Sequence, residues 1–166
     1  GKDCKIFHGA VLGEIPQDLK FDGEKSQLII GNATTIREFC TLNRGTKETG
    51  KTIIGNHCLF MAYVHVAHDC SIGDHNILAN AVQLGGHVEI GNHVTIGGMT
   101  PVHQFCKIGS HSFLAIYSGV AKDLPPIIDQ NIYIKMAGKQ LKKYIDTENN
   151  FLGNLQNNKS EKINRG

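Results

Sequence analysis

Nine histidines stand in this chain of 166 residues, and their spacing sorts them into groups with different chemical prospects. His57, His75, His93 and His111 recur every eighteen residues, each following Gly-Asn, Gly-Asp or Gly-Ser. That context reads as a column of solvated turn residues. A second set is denser. Counting eighteen from Ala67, His68 and Asp69 reaches Gly85, Gly86 and His87, and eighteen more reaches His103, Gln104 and Phe105. A coil of eighteen residues would therefore gather His68, Asp69, His87, His103 and Gln104 at one corner, with His65 at the end of the strand before it. Imidazole titrates near neutral pH. With a neighbouring carboxylate and glycine N–H groups, it suits general acid–base chemistry. The same residue types could hold a transition metal, because zinc favours three histidines around an open position. A purely structural cluster is the third reading.

The element that must position these residues is a repeat. Stepping by six from Ile54 gives Ile54, Phe60, Val66, Ile72, Leu78, Leu84, Ile90, Ile96, Val102, Ile108, Leu114 and Val120. The following residue is glycine at 55, 73, 85, 91, 97 and 109, and alanine at 67, 79 and 115. The residue four after the aliphatic is mostly small, and Cys58, Cys70 and Cys106 share that slot. Six residues make one short strand and one corner, and three such units close a triangular coil. The aliphatic residue then fills the interior, and glycine or alanine permits the tight corner. Coils stack at about 4.8 Å through parallel ladders, and none can bury its apolar face without its neighbours. The same phase appears at Ile6, Leu12, Ile30, Ile36 and Leu42, and fails at Asp18, Glu24 and Glu48. The expected fold is an all-β solenoid, a parallel β-helix over residues 1–122, with polar loops near 13–29 and 43–52. Asp123-Leu124-Pro125-Pro126 reads as an exit from it. Within 123–146, a short helix is expected over 137–146. Residues 147–166, rich in Asn, Lys, Glu and Ser, read as a disordered tail.

Composition narrows the function. A formal net charge of +2 gives no case for nucleic acid or an anionic membrane. No apolar run approaches the roughly 18 residues of a membrane helix, and no signal peptide is evident. The first residue is Gly1, consistent with a fragment. Five scattered cysteines without a CxxC pair fit reduced, buried side chains in a cytosolic protein better than disulfides or a zinc ribbon.

The string His65-Val66-Ala67-His68-Asp69-Cys70 resembles the active-site motif of the acyl-carrier-protein-dependent UDP-N-acetylglucosamine O-acyltransferases, which begin lipid A synthesis. Gly13-Glu14-Ile15-Pro16-Gln17-Asp18-Leu19-Lys20-Phe21 is similar to the family's substrate loop. Ile36-Arg37-Glu38, Asn43-Arg44-Gly45-Thr46, the run Gly97 to Cys106 and Ser118-Gly119-Val120-Ala121 are similar to its later coils. The resemblance covers about residues 1–128. Asp69 favours the O-acyl branch, since the related N-acyltransferases usually carry Asn there. Hexapeptide-repeat carbonic anhydrases carry a His-x4-His pair, and no two histidines here are five apart. No metal is therefore expected.

The resemblance implies a left-handed coil, and transfer of a 3-hydroxyacyl chain from acyl carrier protein to the sugar 3-hydroxyl of UDP-N-acetylglucosamine. His68 would be the general base and the Gly86 N–H the oxyanion donor. Asp69 would orient His68, although adjacent strand residues usually point to opposite faces. Gln17, Asp18, Lys20, His65, His87, His103 and Gln104 match substrate contacts. Ile116 matches the position whose bulk limits the acyl groove, implying a shorter chain than in glycine-bearing members. Lys143 stands where the family has an arginine near the nucleotide, and lysine cannot copy a bidentate arginine contact. The family's first coils and most of its C-terminal helical domain have no counterpart here. A cytoplasmic homotrimer without a protein-bound cofactor is implied. An inactive scaffold, or a transferase for another nucleotide sugar, are the alternatives.

Overall fold

The computed structural model describes residues 1–126. The expected helix over 137–146, Lys143 and the tail over 147–166 lie outside the described residues. The strands arrange themselves coil by coil. The first coil holds β1 (Lys5–Ile6), β2 (Val11–Glu14) and β3 (Gln27–Ile30). The second holds β4 (Thr35–Ile36), β5 (Thr41–Asn43) and β6 (Lys51–Ile54). The third holds β7 (Leu59–Phe60), β8 (His65–Val66) and β9 (Ser71–Ile72). The fourth holds β10 (Ile77–Leu78), β11 (Gln83–Leu84) and β12 (Glu89–Ile90). The fifth holds β13 (Thr95–Ile96), β14 (Pro101–Val102) and β15 (Lys107–Ile108), and β16 (Phe113–Leu114) begins a sixth. Isolated bridges from Val102 to Val120 and from Ile108 to Leu124 carry the ladders a little further.

Every third strand pairs in parallel, giving three sheets that are the faces of a prism: β1-β4-β7-β10-β13-β16, β2-β5-β8-β11-β14 and β3-β6-β9-β12-β15. This is a left-handed parallel β-helix. The six-residue step sets its interior. Ile36, Leu42, Ile54, Phe60, Val66, Ile72, Leu78, Leu84 and Ile96 are all fully or almost fully buried. Each such side chain is worth about 1.5–3 kcal/mol when withdrawn from water. Cys40, Cys58, Cys70 and Cys106 are buried free thiols in the slot four residues on. Burial pushes the Cys70 thiol up to about 12, so it stays protonated and packs as a small apolar group.

The register shows what the loops do. Ile77 pairs with Leu59, eighteen residues back, but Leu59 pairs with Thr35, twenty-four back, and Thr35 with Lys5, thirty back. The extra residues leave between β2 and β3 and between β5 and β6, and the aliphatic phase resumes unchanged after each. Both loops therefore depart from the corner joining the second face to the third. That is also the corner between β8 and β9, where His68 and Asp69 lie, and between β11 and β12, where Gly86 and His87 lie.

The glycines after the aliphatic residues serve a different purpose from the one expected. The corner residue with a left-handed backbone comes two positions later and is rarely glycine: His57, Tyr63, Asp69, His75, Ala81, His87, His93, Met99 and Phe105 have φ between 54° and 65°. The glycine is needed for clearance from the next coil. A Cβ at Gly55 would lie 2.4 Å from the Gly73 carbonyl oxygen, and one at Gly97 2.4 Å from the Ile116 nitrogen.

Candidate active site

The left-handed corner reverses one expectation. Asp69 sits at φ 60°, not in extended strand, so its carboxylate turns to the same side as the His68 ring. Asp69 Oδ2 lies 2.8 Å from His68 Nδ1. The Asp69 side chain is fully buried and is held by the second loop. Thr46 donates to it through its backbone N–H at 2.9 Å and its hydroxyl at 2.7 Å, and the Thr49 hydroxyl donates as well. The Asp69 N–H donates to Thr52 Oγ1 at 2.9 Å. Burial pushes this carboxyl up, but hydrogen bonds from Thr49, His68 and Thr46 outweigh it and hold its pKa down to about 2. An ionised Asp69 accepts only, so His68 presents Nδ1–H to it and keeps the Nε2 lone pair free. That is the tautomer a general base needs.

Gly86 lies directly above. The register Gln83 to His65 and Leu84 to Val66 carries Gly86 over His68, as counting by eighteen implies. A Cβ on Gly86 would fall 2.6 Å from His68 Cε1 and 2.7 Å from Nε2, so only glycine lets the ring occupy its place. The Gly86 carbonyl accepts from the Phe105 N–H at 3.0 Å. Its N–H has no acceptor among the described residues, leaving a donor beside the imidazole.

His87 completes the cluster. Its ring meets that of His68 edge-on at 5.2 Å and stacks on Phe105 at 4.5 Å. His87 Nε2 lies 3.3 Å from Glu48 Oε2 and 3.7 Å from Asp69 Oδ2. One ligand atom each from His68, Asp69 and His87 lie within 4.8 Å of one another, a spacing that can hold a cation. His65 accompanies them one strand earlier, 2.7 Å from Thr41 Oγ1. Burial lowers its pKa, outweighing the Thr41 bond and helped by nearby His68, so the ring is neutral at pH 7.

The remaining residues spread along the same corner. His103 and Gln104 are exposed one coil beyond Gly86, with His103 Nδ1 3.2 Å from the Gln104 carbonyl. Gln17, Asp18 and Lys20 lie on the first loop, where Asp18 Oδ1 accepts the Lys20 N–H at 3.0 Å. No hydrogen bond joins them to the His68 cluster. Their loop is tied to the second loop instead: Glu24 accepts the Lys47 N–H at 2.9 Å, and the Arg44 guanidinium lies 5.4 Å from the Phe21 ring centre. Ile116 is exposed on a different corner, between the first and second faces, beside Met99 and Tyr117. Sequence reasoning missed Thr46, Thr49, Thr52 and Glu48 as partners. The broken phase at Glu48 marked a loop there but carried no signal for which side chains turn back.

The repeats and the triangular coil define a hexapeptide-repeat protein. The bacterial transferase hexapeptide family (six repeats) matches residues 51–86. Over 129 residues the chain is 52% identical to the acyl-[acyl-carrier-protein]–UDP-N-acetylglucosamine O-acyltransferase of Verminephrobacter eiseniae, covering 77% of this chain and 49% of that protein. It is 57% identical over 128 residues to the Helicobacter pylori enzyme of the same name, covering 76% and 47%. The solved UDP-N-acetylglucosamine O-acyltransferase of Moraxella catarrhalis superposes with a TM-score of 0.72 at 51% identity, covering 72% of this chain and 47% of that one. Within the hexapeptide class, the chain is similar over about three quarters of its own length to the acyl-carrier-protein-dependent UDP-N-acetylglucosamine O-acyltransferases. It spans about half the length of the curated relatives it matches.

Proposed function

We propose that this chain carries the catalytic corner of a UDP-N-acetylglucosamine 3-O-acyltransferase, using a 3-hydroxyacyl thioester on acyl carrier protein as donor. One observation carries the reading: His68 has its Nδ1 on a buried, ionised carboxylate and its Nε2 beside an N–H that no described group accepts. His68 Nε2 takes the proton of the sugar 3-hydroxyl as that oxygen attacks the thioester carbonyl. The new C–O bond forms, charge develops on the carbonyl oxygen, and the Gly86 N–H donates to it. The C–S bond then breaks, and the proton passes from His68 to the departing thiolate. General base catalysis of this kind is typically worth about 10²–10⁴-fold, and an oxyanion donor roughly 3–4 kcal/mol.

His65, His87, His103, Gln104, Gln17, Asp18 and Lys20 form the acceptor side, with Lys143 toward the nucleotide. Departure of both loops from the His68 corner supports a single site there. Exposed Ile116 shortens the acyl chain accepted. No metal or protein-bound cofactor takes part. A cytoplasmic homotrimer is the assembly, with sites shared between subunits. Among the described residues no helix is long and apolar enough to cross a membrane.

The test is acyl transfer to UDP-N-acetylglucosamine from 3-hydroxyacyl carrier proteins of several chain lengths, with His68→Ala alongside. Transfer that collapses in the variant supports the reading, and equal rates with long and short donors would remove the role of Ile116. A folded protein that transfers nothing would favour an inactive scaffold. Activity on a different nucleotide sugar would favour another transferase.

A further inference from the structure

Four donor atoms at the His68 corner have an arrangement that general base catalysis does not require. Asp69 Oδ2 lies 2.8 Å from His68 Nδ1 and 3.7 Å from His87 Nε2, and His87 Nε2 lies 3.3 Å from Glu48 Oε2. Zinc binds histidine nitrogen and carboxylate oxygen at about 2.0–2.2 Å in a tetrahedron, which puts neighbouring donors about 3.4 Å apart. The two edges that join His68, Asp69 and His87 bracket that spacing, and one atom from each of the three lies within 4.8 Å of the others. Two imidazoles with one carboxylate, and water in the fourth position, are also a donor set that zinc accepts and magnesium, which prefers six oxygen ligands, does not.

The supporting groups are those of a metal site. A ligating carboxylate needs partners that fix its orientation. Asp69 has them in the Thr46 N–H and the Thr49 hydroxyl on Oδ1 and the Thr46 hydroxyl on Oδ2. Phe105 stacked on His87 fixes that ring. Glu48 is half exposed on the second loop and leaves a path for an ion to enter.

The molecule contains its own contrast. His57, His75, His93 and His111 also bring imidazoles close together, with ring centres 4.8–5.1 Å apart. Those rings lie parallel, within 2–6° of one another. Their in-plane lone pairs run side by side and do not converge on a point.

We propose that His68, Asp69 and His87 form a zinc-binding site, with Glu48 at its rim, that competes with catalysis at the same corner. The competition follows from the tautomer of one ring. As a base, His68 keeps its proton on Nδ1, toward Asp69, and its lone pair on Nε2. A zinc ion between His68 and Asp69 takes the Nδ1 lone pair, which moves the ring proton to Nε2. The ring can then no longer accept a proton from a hydroxyl. Zinc therefore switches His68 off without unfolding anything.

Zinc binding needs no catalytic activity, so it can be measured whether or not the acyl-transfer reading holds; only the competition rests on that reading. Calorimetric titration of the full chain should find one zinc per chain and no magnesium at the same concentrations. His87→Ala should weaken zinc by at least about 100-fold and Glu48→Gln by less than about tenfold, while His75→Ala leaves it unchanged. Glu48 is exposed, so its substitution does not threaten folding. In the transfer assay zinc should inhibit, and a chelator should restore the rate. Zinc that binds His87→Ala as tightly as the parent, or that is lost in His75→Ala, would overturn the site. Zinc that binds but leaves transfer undiminished would overturn the competition.

Discussion

Two corners of one prism carry clusters of histidines, and the contrast between them separates what the repeat provides from what the loops add. At the corner between the third and first faces, His57, His75, His93 and His111 stack in register. The N–H groups there are met by side chains of the next coil: Asn56 N–H by Asp74 Oδ1, Asp74 N–H by Asn92 Oδ1, and Asn92 N–H by Ser110 Oγ. That corner is saturated by its own repetition. At the corner between the second and third faces, the matching N–H of Gly86 has no described acceptor, and the rings of His68 and His87 meet edge-on. Repetition is interrupted there by a loop that brings Thr46, Thr49 and Glu48 against residues of later coils. The His57 corner satisfies its own N–H groups through the next coil, whereas the corner of His68 leaves the Gly86 N–H without a described acceptor.

The largest expected break in this contrast is His68→Ala. It should cut transfer about 10²–10⁴-fold with little change in melting temperature, whereas His75→Ala on the regular corner should change transfer less than about twofold. Comparable losses in both would erase the distinction. Gly86→Ala comes next. Its Cβ would occupy space now held by the imidazole, 2.6 Å from Cε1, and a displacement on the order of 1 Å is expected to cost about 10²-fold. The loss should fall on kcat, and a variant with unchanged kcat would show that the ring has room.

Acid stability sharpens the comparison further. The Asp69 pKa is held at about 2, below the ordinary 3.8. Its contribution is fully present above about pH 5 and lost as the pH falls toward 2, roughly 2 kcal/mol in all. Asp69→Asn should flatten the acid limb of the stability curve in that window. Parallel curves for parent and variant would mean the carboxylate is not held as described. The smallest effect belongs to the regular corner. Asn92→Ala removes the acceptor for the Asp74 N–H and should cost about 1 kcal/mol in chemical denaturation with no effect on transfer.

Much of this was legible from spacing alone. Eighteen-residue counting put Gly86 over His68 and stacked the four outer histidines, because a strict repeat converts sequence distance into position. Counting stopped working where the period was broken. Thr49 lies twenty residues before Asp69, an interval no coil predicts, and only the path of the second loop brings it back. Strand alternation argued against the expected Asp69–His68 contact for a related reason: it applies to extended residues, and Asp69 lies at a corner. Asn76 shows the opposite case. It breaks the apolar pattern yet is fully buried, with its amide bonded to the carbonyls of Gly73 and Gly91 and its oxygen to the Val94 N–H.

The unchanged phase on either side of each loop has an evolutionary meaning. The chain departs after Asn43 and re-enters at Lys51 with Ile54 again facing inward. A segment of another length or composition could be spliced in between without altering which downstream side chains form the interior. Elsewhere along the prism a single inserted residue would turn the next aliphatic outward. Tolerance to rewriting is thus concentrated at the corner that carries His68, where new loops can change the surroundings of that ring while the scaffold is inherited intact.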